Sequence, residues 1–202
     1  MWLYNSAGIF LLSYYFIDVV YFRLRKRTLI KNIRKFMQLT LIILGIYSAE
    51  VGSFKEVSSF IILGILYIPI MVAFNSSTIR ALFKFRFRII MFFKTIIIER
   101  KKYFVIGWRV LNEELVWRCS FIFLMNYFVV NNINIIVIGS VLFYLIHVGF
   151  SKKIIIISEL EFLTFIFILY ISFSITKSLA GIWFLHFLRN GYITFIKEWR
   201  SI

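Results

Sequence analysis

The stretch NEELVWRCSFIFLM, residues 112–125, sets two adjacent glutamates and an arginine at the mouth of an apolar run. A carboxylate removed from water costs several kcal/mol unless it is paired or its charge is used. Glu114 and Arg118 stand four residues apart, a spacing that pairs them on one helix face. Glu113 then points roughly 100° away and is left for another partner. The chain has two histidines, His147 in VLFYLIHVGF and His186 in GIWFLHFLRNGY. By the same helical spacing Phe143 shares a face with His147, and His186 with Asn190. A lone histidine on an apolar helix is usually a packing residue, but two histidines and a glutamate pair at one depth are a different case. Pairing with Arg118 can keep Glu114 charged and fixed, which leaves the second carboxylate for chemistry. Glu113, His147 and His186 are equally a three-donor set for zinc, although an H-E-x-x-H motif is absent, so a metal-free and a Zn2+-dependent reaction both stay open.

The elements that would position these groups follow from composition. Of 202 residues 61% are hydrophobic and 20% aromatic, where a soluble domain is about 45–50% apolar. Apolar runs fall at about 2–22, 37–51, 60–75, 113–130, 135–150, 154–173 and 179–196. The expectation is an all-α, polytopic transmembrane bundle of about seven spans, with 89–98 as a candidate eighth interrupted by Lys94 and 80–112 as an interfacial amphipathic region. The formal net charge is +15. In so apolar a chain it points to basic loops beside an anionic lipid bilayer, and no basic-aromatic platform outside the spans calls for nucleic acid. Twenty of the 24 Lys and Arg residues fall on one side of this map. That makes the protein an integral membrane protein, of the bacterial plasma membrane type, with its N-terminus outside and its C-terminus cytoplasmic. On this map Glu113, His147, His186 and Asn190 all lie in the cytoplasmic half of the bilayer.

The remaining features are bland. Cys119 is the only cysteine, so no intrachain disulfide forms and the thiol is expected to pack. Pro69, the only proline, is expected to kink a span. The N-terminus lacks a basic region and a cleavage site and reads as a retained span. Asp18, Glu50, Glu159 and Glu161 are expected to be non-catalytic, the last two forming a local ion pair or snorkelling beside Lys152 and Lys153. Residues 1–202 read as one domain, with the chemistry-bearing motifs in 105–196.

Three motifs in order carry a resemblance: EELVWR (Glu113 to Arg118) as E-E-x-x-x-R, FYLIH (Phe143 to His147) as F-x-x-x-H, and HFLRN (His186 to Asn190) as H-x-x-x-N. In this order the chain resembles the CAAX-prenyl-endopeptidase and bacteriocin-processing (CPBP, Abi) family of intramembrane proteases. The resemblance covers residues 105–196. It implies an endopeptidase acting near the cytoplasmic face on a peptide or protein substrate, such as a bacteriocin-type precursor, a peptide pheromone or a lipidated C-terminus. Glu113 would be the base that activates water and His147 would hold that water. His186 and Asn190 would stabilise the oxyanion, with Glu114, Arg118 and Phe143 in support. A non-catalytic immunity or assembly protein of the same fold is the alternative. A proton-relaying transporter is a third, unsupported by any repeated halves.

Overall fold

The structure is a computed structural model and describes residues 8–17, 28–49, 58–60, 62–63, 85–147 and 156–199. The helices are α1 (8–17), α2 (Thr28–Ser48), α3 (Phe85–Ile98), α4 (Arg100–Glu114), a π-helical turn (Leu115–Ser120), α5 (Phe121–Tyr127), α6 (Asn132–His147), α7 (Ile156–Thr176) and α8 (Leu179–Trp199), with short helical pieces at 58–60 and 62–63. The all-helical expectation agrees with this list.

The polytopic transmembrane bundle does not. Among the described residues no helix is long and apolar enough to cross a membrane. The apolar runs are divided by the fold. The run 113–130 carries the π turn and ends in a seven-residue helix. The 16 residues of α6 cover about 24 Å, against a hydrocarbon thickness of about 30 Å. Helix α2 opens with Lys31, Arg34 and Lys35, and α8 carries Arg189, Lys197 and Glu198. Helix α7 holds Glu159 and Glu161 in its first two turns, leaving about 22 Å of uncharged helix beyond them. The integral-membrane localisation, with its outside and cytoplasmic loops, falls with the spans, and so does the argument that placed the motifs at one bilayer depth. The segment 80–112, expected at an interface, contains helices α3 and α4. Asp18, Glu50, Pro69, the run 60–75 apart from its described helical positions, and Lys152 and Lys153 lie outside the described residues.

Two compact units are present: Met1–Glu50 with Glu113–Lys177, and Val51–Asn112 with Ser178–Ile202. In the first, α2 buries Met37, Leu41 and Gly45, a stripe at four-residue spacing, while Phe36, Leu39 and Ile43 on its other side stay exposed. Gly45 is required where it stands, because a Cβ there would collide with the backbone carbonyl of Leu115. Helix α5 closes with a Schellman motif: Val130 N–H donates to Met125 O at 3.1 Å and Val129 N–H to Asn126 O at 2.9 Å. The left-handed residue of that motif is Val129, at φ 56°, a conformation that glycine tolerates and a β-branched side chain resists. Helix α6 then starts on Asn131, whose Oδ1 accepts from Ile133 N–H at 3.0 Å. It buries Ile135, Gly139, Leu142, Phe143 and Ile146 along one side.

In the second unit Ser178 caps α8, its Oγ accepting from Gly181 N–H at 3.2 Å. The core is aromatic: Phe92 of α3 meets Tyr192 and Phe195 of α8 at centroid distances of 5.5 and 5.8 Å, and Tyr103 of α4 at 6.1 Å. These are offset and edge-on geometries that suit the ring quadrupoles.

Candidate active site

The glutamate pair ends α4 where the helix widens. Leu115–Ser120 is a π turn, and all six of its residues are buried. Widening the turn takes backbone carbonyls out of the α-helical register, and buried carbonyls must find other donors. Three hydroxyls supply them. Ser120 Oγ donates to Leu115 O at 2.8 Å and also reaches Leu41 O of α2. Tyr15 Oη of α1 donates to Val116 O at 2.7 Å, and Tyr170 Oη of α7 to Trp117 O at 2.5 Å. Both tyrosines are fully buried. Burial pushes the Tyr15 and Tyr170 phenols above their ordinary range, which keeps them protonated as donors.

Within this turn the expected Glu114–Arg118 pair forms, with Arg118 Nη1 donating to Glu114 Oε1 at 2.8 Å and both side chains fully buried. The guanidinium also lies over two ring faces, 4.1 Å from the centroid of Phe143 and 5.2 Å from that of Tyr170. These faces partly replace the water that the cation has lost. Burial pushes the Glu114 carboxyl up to about 8; Arg118 works against that shift and Glu113 adds to it. Cys119 is buried, as expected, and burial raises its thiol.

Glu113 faces away from this pair, toward His147. Its Oε2 lies 3.8 Å from His147 Nε2, and the two side chains are a quarter and about a third exposed. His147 Nδ1 is 2.9 Å from Phe143 O, and since a carbonyl only accepts, that nitrogen carries the proton. In the neutral form of the ring, Nε2 therefore carries the lone pair on the side of Glu113. Stacking on Phe143 at 4.1 Å and 29° holds the ring plane, and Phe162 adds an edge at 5.7 Å. Phe143 thus meets both Arg118 and His147.

The first unit brings together Glu113, Glu114, Arg118, Phe143 and His147. His186 and Asn190 belong to the second unit, one turn apart on α8. Asn190 Nδ2 lies within hydrogen-bond distance of His186 Nε2, at 3.1 Å. His186 is buried. Glu161, expected to pair locally or to snorkel, is also buried. Of the three zinc-donor candidates, Glu113 and His147 lie in the first unit and His186 in the second; among the described residues no group of three or more His, Cys, Asp or Glu side chains is placed to hold a metal ion. Tyr15, Ser120 and Tyr170, which brace the turn under the glutamates, carry no sequence signal, since Tyr15 and Tyr170 stand 101 and 53 residues from their acceptors.

No family model, curated protein or solved structure matches this chain.

Proposed function

We propose that the chain is a peptide-bond hydrolase, an endopeptidase in which Glu113 is the general base that activates water. The observation that carries this reading is the Glu113–His147 pair. At 3.8 Å the two groups are too far apart for a direct hydrogen bond and close enough to hold one water between them. The His147 tautomer set by Phe143 O lets Nε2 accept one proton of that water while the Glu113 carboxylate accepts the other. Attack of the water oxygen on a peptide carbonyl delivers its proton to Glu113, and Glu113 then returns it to the leaving nitrogen. Arg118 and Glu114 hold the turn beneath the base. The order and spacing of the three sequence motifs support the same reaction class.

The test is cleavage of a defined peptide mixture by the purified chain in H2 18O, read by mass spectrometry. Wild type is expected to generate new C-termini carrying 18O. Glu113→Gln keeps the shape but cannot take the proton, and is expected to lose at least about a hundredfold in rate, the usual worth of a positioned base. Equal cleavage by the two proteins, or none by either, overturns the reading and leaves a non-catalytic binding role for the motifs.

A further inference from the structure

A cleft of about 340 Å³ opens in the second unit between α4 and α8, its lining including Arg100, Phe104, Trp108, Leu111, Trp183 and Phe187. It uses none of the residues assigned to hydrolysis. Arg100, Phe104, Gly107, Trp108 and Leu111 follow one face of α4 at helical spacing, so the cleft is long rather than round, about 16 Å from Arg100 to Leu111. The facing wall is fixed in place. Trp183 and Phe187 stack at 5.7 Å with planes 16° apart, and Trp183 Nε1–H donates to Gly107 O at 2.8 Å. A Cβ at Gly107 would stand 3.4 Å from Trp183, in ordinary van der Waals contact with these rings.

The cleft surface is almost wholly apolar. Arg100 is the only charged residue in the lining and it stands near one end. It makes no ion pair among the described residues, because the neighbouring Glu99 carboxylate is taken by Lys102 at 3.1 Å. Lys101 adds a second exposed cation beside it. Beyond Arg100 the walls are aromatic or aliphatic, and the indole N–H of Trp183 is already used. A peptide laid there would bury backbone N–H and C=O groups with few partners to meet them. A hydrocarbon chain needs none.

We infer that this cleft binds a linear long-chain carboxylate, with its head on Arg100 and its tail running past Phe104 and Trp108 toward Leu111. The cleft volume falls within the range of small-molecule sites, and a charge-assisted pair at one end fixes the orientation.

Two of the lining residues, Trp108 and Trp183, report binding directly through their fluorescence. The purified full chain is titrated with dodecanoate below its micelle-forming concentration, and in parallel with dodecanol. A saturable change with dodecanoate is expected, with dodecanol binding at least about tenfold more weakly for want of the charged pair. Arg100→Gln is expected to bring dodecanoate down to the level of the alcohol. Trp108→Ala, at a position 59% exposed and so of little consequence for folding, should weaken both ligands. Equal affinity for acid and alcohol, an unaltered Arg100→Gln titration, or a response that never saturates would each overturn the inference. So would displacement of dodecanoate by an apolar peptide that binds more tightly.

Discussion

Tyr170→Phe isolates the bond that holds the π turn. The substitution removes one oxygen and leaves the ring, so the packing on Phe121 (6.3 Å) and the aromatic face beneath Arg118 survive. Lost is the hydrogen bond to Trp117 O, a carbonyl on a residue only 4% exposed. An unsatisfied buried acceptor costs about 1–3 kcal/mol. The fully buried Tyr170 ring and the short bond argue for the middle of that range, about 2 kcal/mol. With an ordinary urea m-value of about 1–3 kcal/mol/M, the unfolding midpoint should drop by roughly 1 M. Tyr15→Phe, which frees the adjacent Val116 carbonyl, should cost a similar amount. The double variant should fall short of the sum, because one rearranged turn can satisfy both carbonyls. The natural rearrangement is α-helical, and recovering that register rotates the glutamates by about 100° relative to the residues beyond the turn. The double variant should therefore also lose the Glu113–His147 geometry and the hydrolysis it supports. Urea titration with parallel cleavage assays measures both effects. A Tyr170→Phe protein within about 0.5 kcal/mol of wild type would refute the claim that side-chain hydroxyls hold this turn.

Two further outcomes follow from the geometry. The Glu114 carboxyl, raised from its ordinary 4.5 to about 8 chiefly by burial, keeps in the folded chain a proton that the unfolded chain releases. Its contribution to stability is full below about pH 4.5 and is lost as pH rises to about 8, at a slope on the order of 1 kcal/mol per unit. Denaturation midpoints across that window should fall with pH in wild type and flatten in Glu114→Gln; a midpoint that rises with pH would reverse the assignment. Val129→Gly should raise the thermal midpoint, because the left-handed conformation at φ 56° costs a side-chain-bearing residue roughly 1–2 kcal/mol and Val129, 90% exposed, contributes little packing in return. An unchanged or lower midpoint would count against strain at that position.

What the sequence determined by itself was local. The four-residue spacing of Glu114 and Arg118 gave their pair, the similar spacing of Phe143 and His147 gave the stack that orients the imidazole, and His186 and Asn190 gave theirs. Each is set by helical periodicity, which is written in the spacing. The all-helical content was legible for the same reason. The transmembrane reading failed because hydropathy counts apolar runs and does not register where a chain turns, widens or ends a helix. The Schellman motif centred on Val129 has no glycine to announce it, and nothing in LVWRCS marks a π turn. Only the tertiary structure decided that turn, since its carbonyls are paired by hydroxyls brought in from α1 and α7. The cleft beside Arg100 is likewise tertiary, its walls meeting through a bond between residues 76 apart in sequence. Contacts within one or two helical turns leave a period in the sequence, whereas contacts between helices depend on the path of the chain between them and leave none.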